Sequence, residues 1–472
     1  VSILIRNGRV IDPKSGLDEV IDVFVNGNTI EKIDKHIRKT GSDVRSIDAA
    51  GHIVAPGLID THAHLREPGY EWKETIRTGT MAATKGGFTS VVCMANTNPV
   101  NDNKSVTDYI IQKARSEASC RVFPCGAITK GLKGEELSDM GELYESGIVA
   151  ISDDGKSVKN SAILLKAFEY SRLFGIPVIS HCEDEDLSRG YVHEGRASLL
   201  SGLDAVPAIA EELIVSRDIA IAKYANAPVH LTHISSGGSV NIIQHAKKSH
   251  KKITCDTCCH YFSLTDEATL GFDTSTKVNP PLRGKEDVEA IKEGLRNNTI
   301  DIIATDHAPH EGTSKDVEFD IASFGISGFE TAFALSLALV HEGVMTLPDL
   351  LRKFTVNPAK LLKLPYGQLA PGKVADIIIF NPDVEWKVDR NSFLSRGKNS
   401  PFHGWVLKGK TSLPWLMVRL STGINLSKLN CGFFLFLKPC FFFLLVDIFG
   451  KGSHALTPPG IILVHFNLFI KI

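Results

Sequence analysis

The sequence predicts an α/β protein: an eight-stranded (β/α)8 barrel with a small β-sandwich domain formed from both ends of the chain. Three observations carry that reading. Eight apolar strand candidates alternate with helical stretches between residues 51 and 360. β-rich segments flank that region, at 1–50 and at 361–410. Five of the eight strands end in His or Asp, which is where a barrel of this kind gathers its chemistry.

The first flank has strand patterns at 3–6, 9–11 and 20–25, between turn signals at Asn7-Gly8, Pro13 to Gly16 and Asn26-Gly27. The second has them at 374–380, 384–388 and 405–408. The barrel strands are expected at 53–59, 89–94, 121–125, 148–151, 177–179, 228–231, 252–255 and 300–303. Helices are expected at 72–85, 105–116, 161–173, 207–224, 238–249 and 286–297. Near-continuous apolar strands separated by helices imply a parallel sheet covered on its outer face. A doubly wound open sheet is the alternative, but no Gly-rich dinucleotide or phosphate-loop fingerprint follows a strand.

The chain has 472 residues, enough for one large domain and one small one. A net charge of −2 gives no reason to expect nucleic acid or an anionic membrane as partner. Nine scattered cysteines suit a reducing compartment better than a disulfide framework. Cys255 and Cys258 have CxxC spacing but no second pair, and are expected to pack within a strand. The start, Val1-Ser2-Ile3-Leu4-Ile5-Arg6, reads as a strand and not as a signal segment, so the expected location is cytoplasmic.

The sharpest local signal is Asp60-Thr61-His62-Ala63-His64-Leu65-Arg66. Residues i and i+2 of a strand share a side, so His62 and His64 aim two imidazoles at one point. Strand four ends in Ser152-Asp153-Asp154, strand five in His181, strand six in His233, and strand eight in Asp306-His307-Ala308-Pro309-His310. Four His and two Asp exceed the needs of one ion with an open position. They suit two ions sharing a carboxylate and a water, which together make a strong nucleophile and polarise a carbonyl.

The stretches Gly57-Leu58-Ile59-Asp60-Thr61-His62-Ala63-His64-Leu65-Arg66-Glu67-Pro68-Gly69, Met94-Ala95-Asn96-Thr97-Asn98-Pro99 and Asp306-His307-Ala308-Pro309-His310 closely resemble dihydroorotase. The similarity is to the bacterial class I type of the amidohydrolase superfamily and spans residues 3–410. It implies two Zn2+ per chain. His62, His64 and Asp306 would hold the first, His181 and His233 the second, and Asp154, in preference to Asp153, would bridge them. Asp306 would also be the catalytic general acid/base. Substrate contacts would come from His64, from Arg66, Asn96 and His310 on the carboxylate, and from Asn279 and the Phe324-Gly325 backbone on the ring. The implied reaction is the reversible cyclisation of N-carbamoyl-L-aspartate to L-dihydroorotate in de novo pyrimidine (UMP) biosynthesis, by a zinc-bridged hydroxide. The small-molecule substrate is the main partner implied. A homodimer and an association with aspartate transcarbamoylase are admitted without being required.

An allantoinase- or hydantoinase-like enzyme is the alternative; Asp154 in place of a Lys, together with Arg66, Asn96 and His310, argues against it. A non-catalytic scaffold would be expected to lack ligands that are all present here. The polar segment 310–323 is expected to form a loop over the site. Similarity ends near Lys410, and the tail 411–472 is atypical. Back-translating 413–423 in a shifted frame permits Thr-Met-Val-Asp-Gly-Lys-Ile-Val-Tyr-Arg, the family's closing hairpin, so a frame shift near codon 410 is expected, and resequencing tests it. A membrane span is not expected in the tail, whose apolar run is broken by Lys438-Pro439 and Asp447.

Overall fold

The computed structural model describes residues 2–38 and 44–411. The expectations for the tail lie outside these residues. Eight parallel strands form the barrel: Leu58–Ala63, Phe88–Cys93, Arg121–Gly126, Ala150–Ile151, Val178–His181, Val229–Thr232, Ile253–Cys258 and Ile302–Ala304. Each pairs in parallel with the next. The ring closes at its mouth, where Ala63 bridges to His307 and the His64 N–H donates to the His307 carbonyl at 2.9 Å.

Helices cover the outside because each has one apolar stripe to hide. Lys285–Arg296 buries Val288, Ile291 and Leu295, three or four residues apart, and leaves its charges in water. Ser161–Phe174 starts where the Asn160 side chain accepts from the Ala162 and Ile163 amides, and stops at Gly175, whose φ of 66° suits a residue without Cβ. The first helix begins at Ile76 and not at residue 72 as expected. The Thr75 hydroxyl accepts from the Thr78 amide and so fixes the start. Residues 66–74 are thereby left as a loop at the barrel mouth.

The strand expected over 53–59 is two strands. Ile53–Pro56 pairs antiparallel with Ile377–Lys387 in the small sheet, and Leu58–Ala63 begins the barrel. Gly57 makes the passage: its N–H donates to the Asp376 carbonyl, and a Cβ there would lie 2.3 Å from Thr89. The small sheet therefore runs past the expected boundary at residue 50. Its seven strands, Ser2–Asp12, Leu17–Asn26, Thr29–Asp34, Val44–Asp48, Ile53–Pro56, Ile377–Lys387 and Val406–Thr411, are hydrogen-bonded as one sheet. Ser2–Asp12 changes partner along its length, from Val44–Asp48 to Ile53–Pro56, and the sheet folds over its own core of Ile3, Ile5, Val10, Val23, Val25, Ile377 and Ile379. Both ends of the barrel region feed it.

Among the described residues, no helix is long and apolar enough to cross a membrane. The seven described cysteines are free and buried. Cys255 and Cys258 lie in the seventh barrel strand, and burial pushes the Cys255 thiol up to about 12, so the CxxC pair is inert packing.

Candidate active site

All six residues expected to bind metal converge at the C-terminal ends of the strands. Asp154 is central. Its Oδ1 lies 3.2 Å from His62 Nε2, 3.6 Å from His233 Nε2 and 3.8 Å from His181 Nδ1. Its Oδ2 lies 3.5 Å from His64 Nε2. Asp306 Oδ1 is 3.1 Å from His64 Nε2 and 3.6 Å from His62 Nε2. His181 Nδ1 and His233 Nε2 are 2.8 Å apart. Two ligand-like groupings emerge, His62-His64-Asp306 and His62-Asp154-His233. Asp153 points elsewhere: its carboxylate accepts from the Ile128 and Thr129 amides and from the Thr129 hydroxyl.

A second layer of residues fixes which imidazole nitrogen faces inward. Thr232 Oγ1 donates to Asp256 and so accepts from His62 Nδ1 at 2.7 Å. Asn96 Oδ1 accepts from His64 Nδ1 at 2.9 Å, and Glu183 Oε2 from His181 Nε2 at 2.9 Å. In each case the outer nitrogen carries the proton and the inner one presents a lone pair. His62 Nε2 and Asp154 Oδ1 are buried without a hydrogen-bond partner. Buried lone pairs left unsatisfied are costly, and a divalent cation satisfies several at once. The donor set therefore fits metal.

Electrostatics agree. Burial opposes a charged His62, but Asp154 and Asp306 outweigh it and push the imidazole up to about 10, so a proton competes with a cation for the inward Nε2. Burial likewise opposes ionisation of Asp154 and Asp306, yet the surrounding imidazoles hold both carboxyls well below the usual range. A cavity that holds carboxylates ionised against burial is built for positive charge.

The backbone is strained to achieve this. His233 and Asp306 each have φ 43°, in the left-handed region that costs a non-glycine residue about 1 kcal/mol or more. Local clamps hold them there. The Asp256 carboxylate accepts from the His233 amide at 2.6 Å. Asp60, on strand one, accepts from the Thr305 amide at 3.0 Å and from its hydroxyl at 2.5 Å, which ties strand eight to strand one just before Asp306.

The residues expected to contact substrate line the same mouth. Asn96 spends its Oδ1 on His64 and keeps its amide N–H groups. Asn279 Nδ2 donates to Glu183 at 2.9 Å. His310 Nε2 lies 2.8 Å from the Phe324 carbonyl. Gly325 has φ 136°, and a Cβ there would strike Ala308 at 2.6 Å. Segment 310–323 forms the expected loop beside the site, pinned by Lys315 Nζ donating to the Thr274 carbonyl at 2.9 Å and Lys277 Nζ to the Asp320 carbonyl at 2.7 Å.

Sequence reasoning missed Thr232, Asp256, Glu183 and Asn399. Glu183 repeats the i, i+2 spacing that exposed His62 and His64, now with His181, so the signal was present. Asn399 had none: from far along the chain it accepts from the His310 amide and donates to the Ala308 and Gly325 carbonyls.

Comparison with known proteins bears on the same residues. A family model described as dihydro-orotase-like matches residues 51–239. The chain is 53% identical over 410 residues to the dihydroorotase of Geobacter metallireducens, covering 87% of this chain and 96% of that one. It is 48% identical over 421 residues to the dihydroorotase of Syntrophus aciditrophicus, covering 89% and 99%. Among solved structures, the dihydropyrimidinase of Brevibacillus agri NCHU1002 superposes with a TM-score of 0.77 at 23% identity, over 87% of this chain and 93% of that one. The L-hydantoinase of Arthrobacter aurescens gives 0.78 at 22% identity, over 87% and 94%. At that identity the likeness establishes the fold.

Proposed function

The chain belongs to the dihydroorotase family, and from that premise we propose that its barrel mouth is a two-zinc site interconverting N-carbamoyl-L-aspartate and L-dihydroorotate. The observation that carries the site assignment is the convergence of four imidazoles and two carboxylates on one buried point, three of the imidazoles turned by outer partners to face inward.

In this reading His62, His64 and Asp306 would hold one ion, His181 and His233 the other, and Asp154 would serve both. When bound, the ions supply Lewis acidity toward the ring carbonyl and lower the pKa of a shared water. The protein supplies the rest. Asp306 would give up and take back the proton at the ring nitrogen, as acid in one half-reaction and base in the other. The Asp60–Thr305 clasp, and the His307 amide that donates to the Thr305 hydroxyl, fix the backbone on either side of Asp306. The free amide N–H groups of Asn96, the guanidinium of Arg66 and the backbone of Phe324 and Gly325 orient the substrate. The pinned loop 310–323 keeps bulk water from the side of the site it covers.

A hydantoinase-like activity is the second reading, favoured by the fold neighbours alone. Two features support dihydroorotase over it: Asp154 at the bridging position, and a half-buried Arg66 suited to a substrate with a free carboxylate. A substrate panel decides. Dihydroorotate should be turned over and hydantoin and allantoin should not; turnover of either in preference to dihydroorotate refutes the substrate assignment. The reading places the enzyme in the cytoplasm, where the free, buried thiols of the seven described cysteines are unremarkable. All the site residues come from one chain, so neither a homodimer nor aspartate transcarbamoylase is needed to complete it.

A further inference from the structure

The loop after strand one carries a second cation into the barrel mouth. Lys73 stands in the stretch that the Thr75 cap keeps out of the helix, and its side chain is half-buried. Its Nζ is 3.4 Å from His310 Nδ1. Across the same ring, Arg66 Nη2 is 3.4 Å from His310 Nε2, the nitrogen that also lies 2.8 Å from the Phe324 carbonyl.

The chemistry of these groups leaves one arrangement. An ammonium only donates, so His310 Nδ1 accepts from Lys73. The ring proton is then on Nε2, which donates to the Phe324 carbonyl. In the ligand-free chain both nitrogens of His310 are engaged. Arg66 cannot bond to an Nε2 that already bears hydrogen. The remaining contact of its fork is a donation from Nε to the Pro309 carbonyl at 3.4 Å. Lys73 keeps two N–H groups unused.

Among the described residues no carboxylate lies within 4 Å of either cation, although Glu311 faces both and Asp306 faces Arg66 from farther off. Two like charges, partly stripped of water and flanking one imidazole, raise the free energy of the empty site. An anion bonded to both offsets that cost. The substrate named above has a carboxylate that takes no part in ring closure.

We propose that Lys73, which lies across His310 from Arg66, is a further substrate-binding residue that receives this free carboxylate. The proposal rests on the dihydroorotase reading. It makes Lys73 a specificity determinant, because a ring of the same shape without a carboxylate gains nothing from it.

The test compares K73M and K73R with the unaltered enzyme, using dihydroorotate as substrate and 5,6-dihydrouracil, which lacks the carboxylate, as competitive inhibitor. Loss of one charge-assisted contact corresponds to a rise of about 10–100-fold in KM for K73M, with kcat changed only a few-fold. K73R should recover most of the loss. The inhibition constant of dihydrouracil, the metal content and the melting temperature should stay unchanged. A KM in K73M within about twofold of the unaltered enzyme overturns the proposal, and so does an equal loss of affinity for dihydrouracil. An unaltered enzyme that does not turn over dihydroorotate is a different outcome, and refutes the underlying reading together with the proposal.

Discussion

Asp153 and Asp154 are adjacent, both buried, and have opposite fates. Asp153 secures the Ile128–Thr129 backbone, whereas Asp154 faces four imidazoles. D154N should therefore lose bound metal, as elemental analysis of the purified protein would show. D153N should keep its metal and lose stability by about 1–3 kcal/mol, because two buried amides lose a charged acceptor. Equal metal content in the two variants would contradict this division. At this scale the sequence was most legible where chemistry repeats at a fixed spacing. His62 and His64 announce themselves by the period of a strand. Lys73 does not, because its role depends on where the Thr75 cap ends the helix, and Asn399 does not, because its partners are some ninety residues away.

Single elements show what a linear pattern leaves out. The apolar run 53–59 is continuous in composition, yet its two halves belong to different sheets. Only the close approach of Thr89 to Gly57 reveals the break, and that contact has no local signature. G57A should lower stability by about 1–3 kcal/mol through overpacking, measured as a shift of the denaturation midpoint. G57A in a T89S background should recover part of the loss by giving the Cβ room; no recovery would place the strain elsewhere. The loop 310–323 carries a pH-dependent contribution. Burial, reinforced by the charge of Lys277, lowers Lys315 from 10.5 to about 7. Between those values the folded chain has released a proton that the unfolded chain keeps, so stability rises with pH across the window. Lys277 and Lys353 act in the same direction from about 8. K315M should have a melting temperature that climbs less between pH 7 and 8 than that of the unaltered protein. An identical slope would mean that the Lys315 ammonium is not desolvated as the fold implies.

On the scale of the whole molecule, the barrel was legible because eight alternations of apolar strand and helix admit few architectures. The small sheet was legible as two β-rich ends, but its single hydrogen-bonded path was not, because the partner change along Ser2–Asp12 depends on long-range pairing. The site follows from barrel closure. Strands one and eight meet through the Ala63–His307 bridge and the Asp60–Thr305 clasp, and this brings Asp306 to His64. The central claim is that this mouth is a metal-dependent dihydroorotase centre. Its most direct test is the interconversion of N-carbamoyl-L-aspartate and dihydroorotate by chelator-stripped protein titrated with Zn2+. Stripped protein should be inactive, and the rate should return and level off at two ions per chain. Full activity in stripped protein, or no activity with two ions bound, would contradict the account.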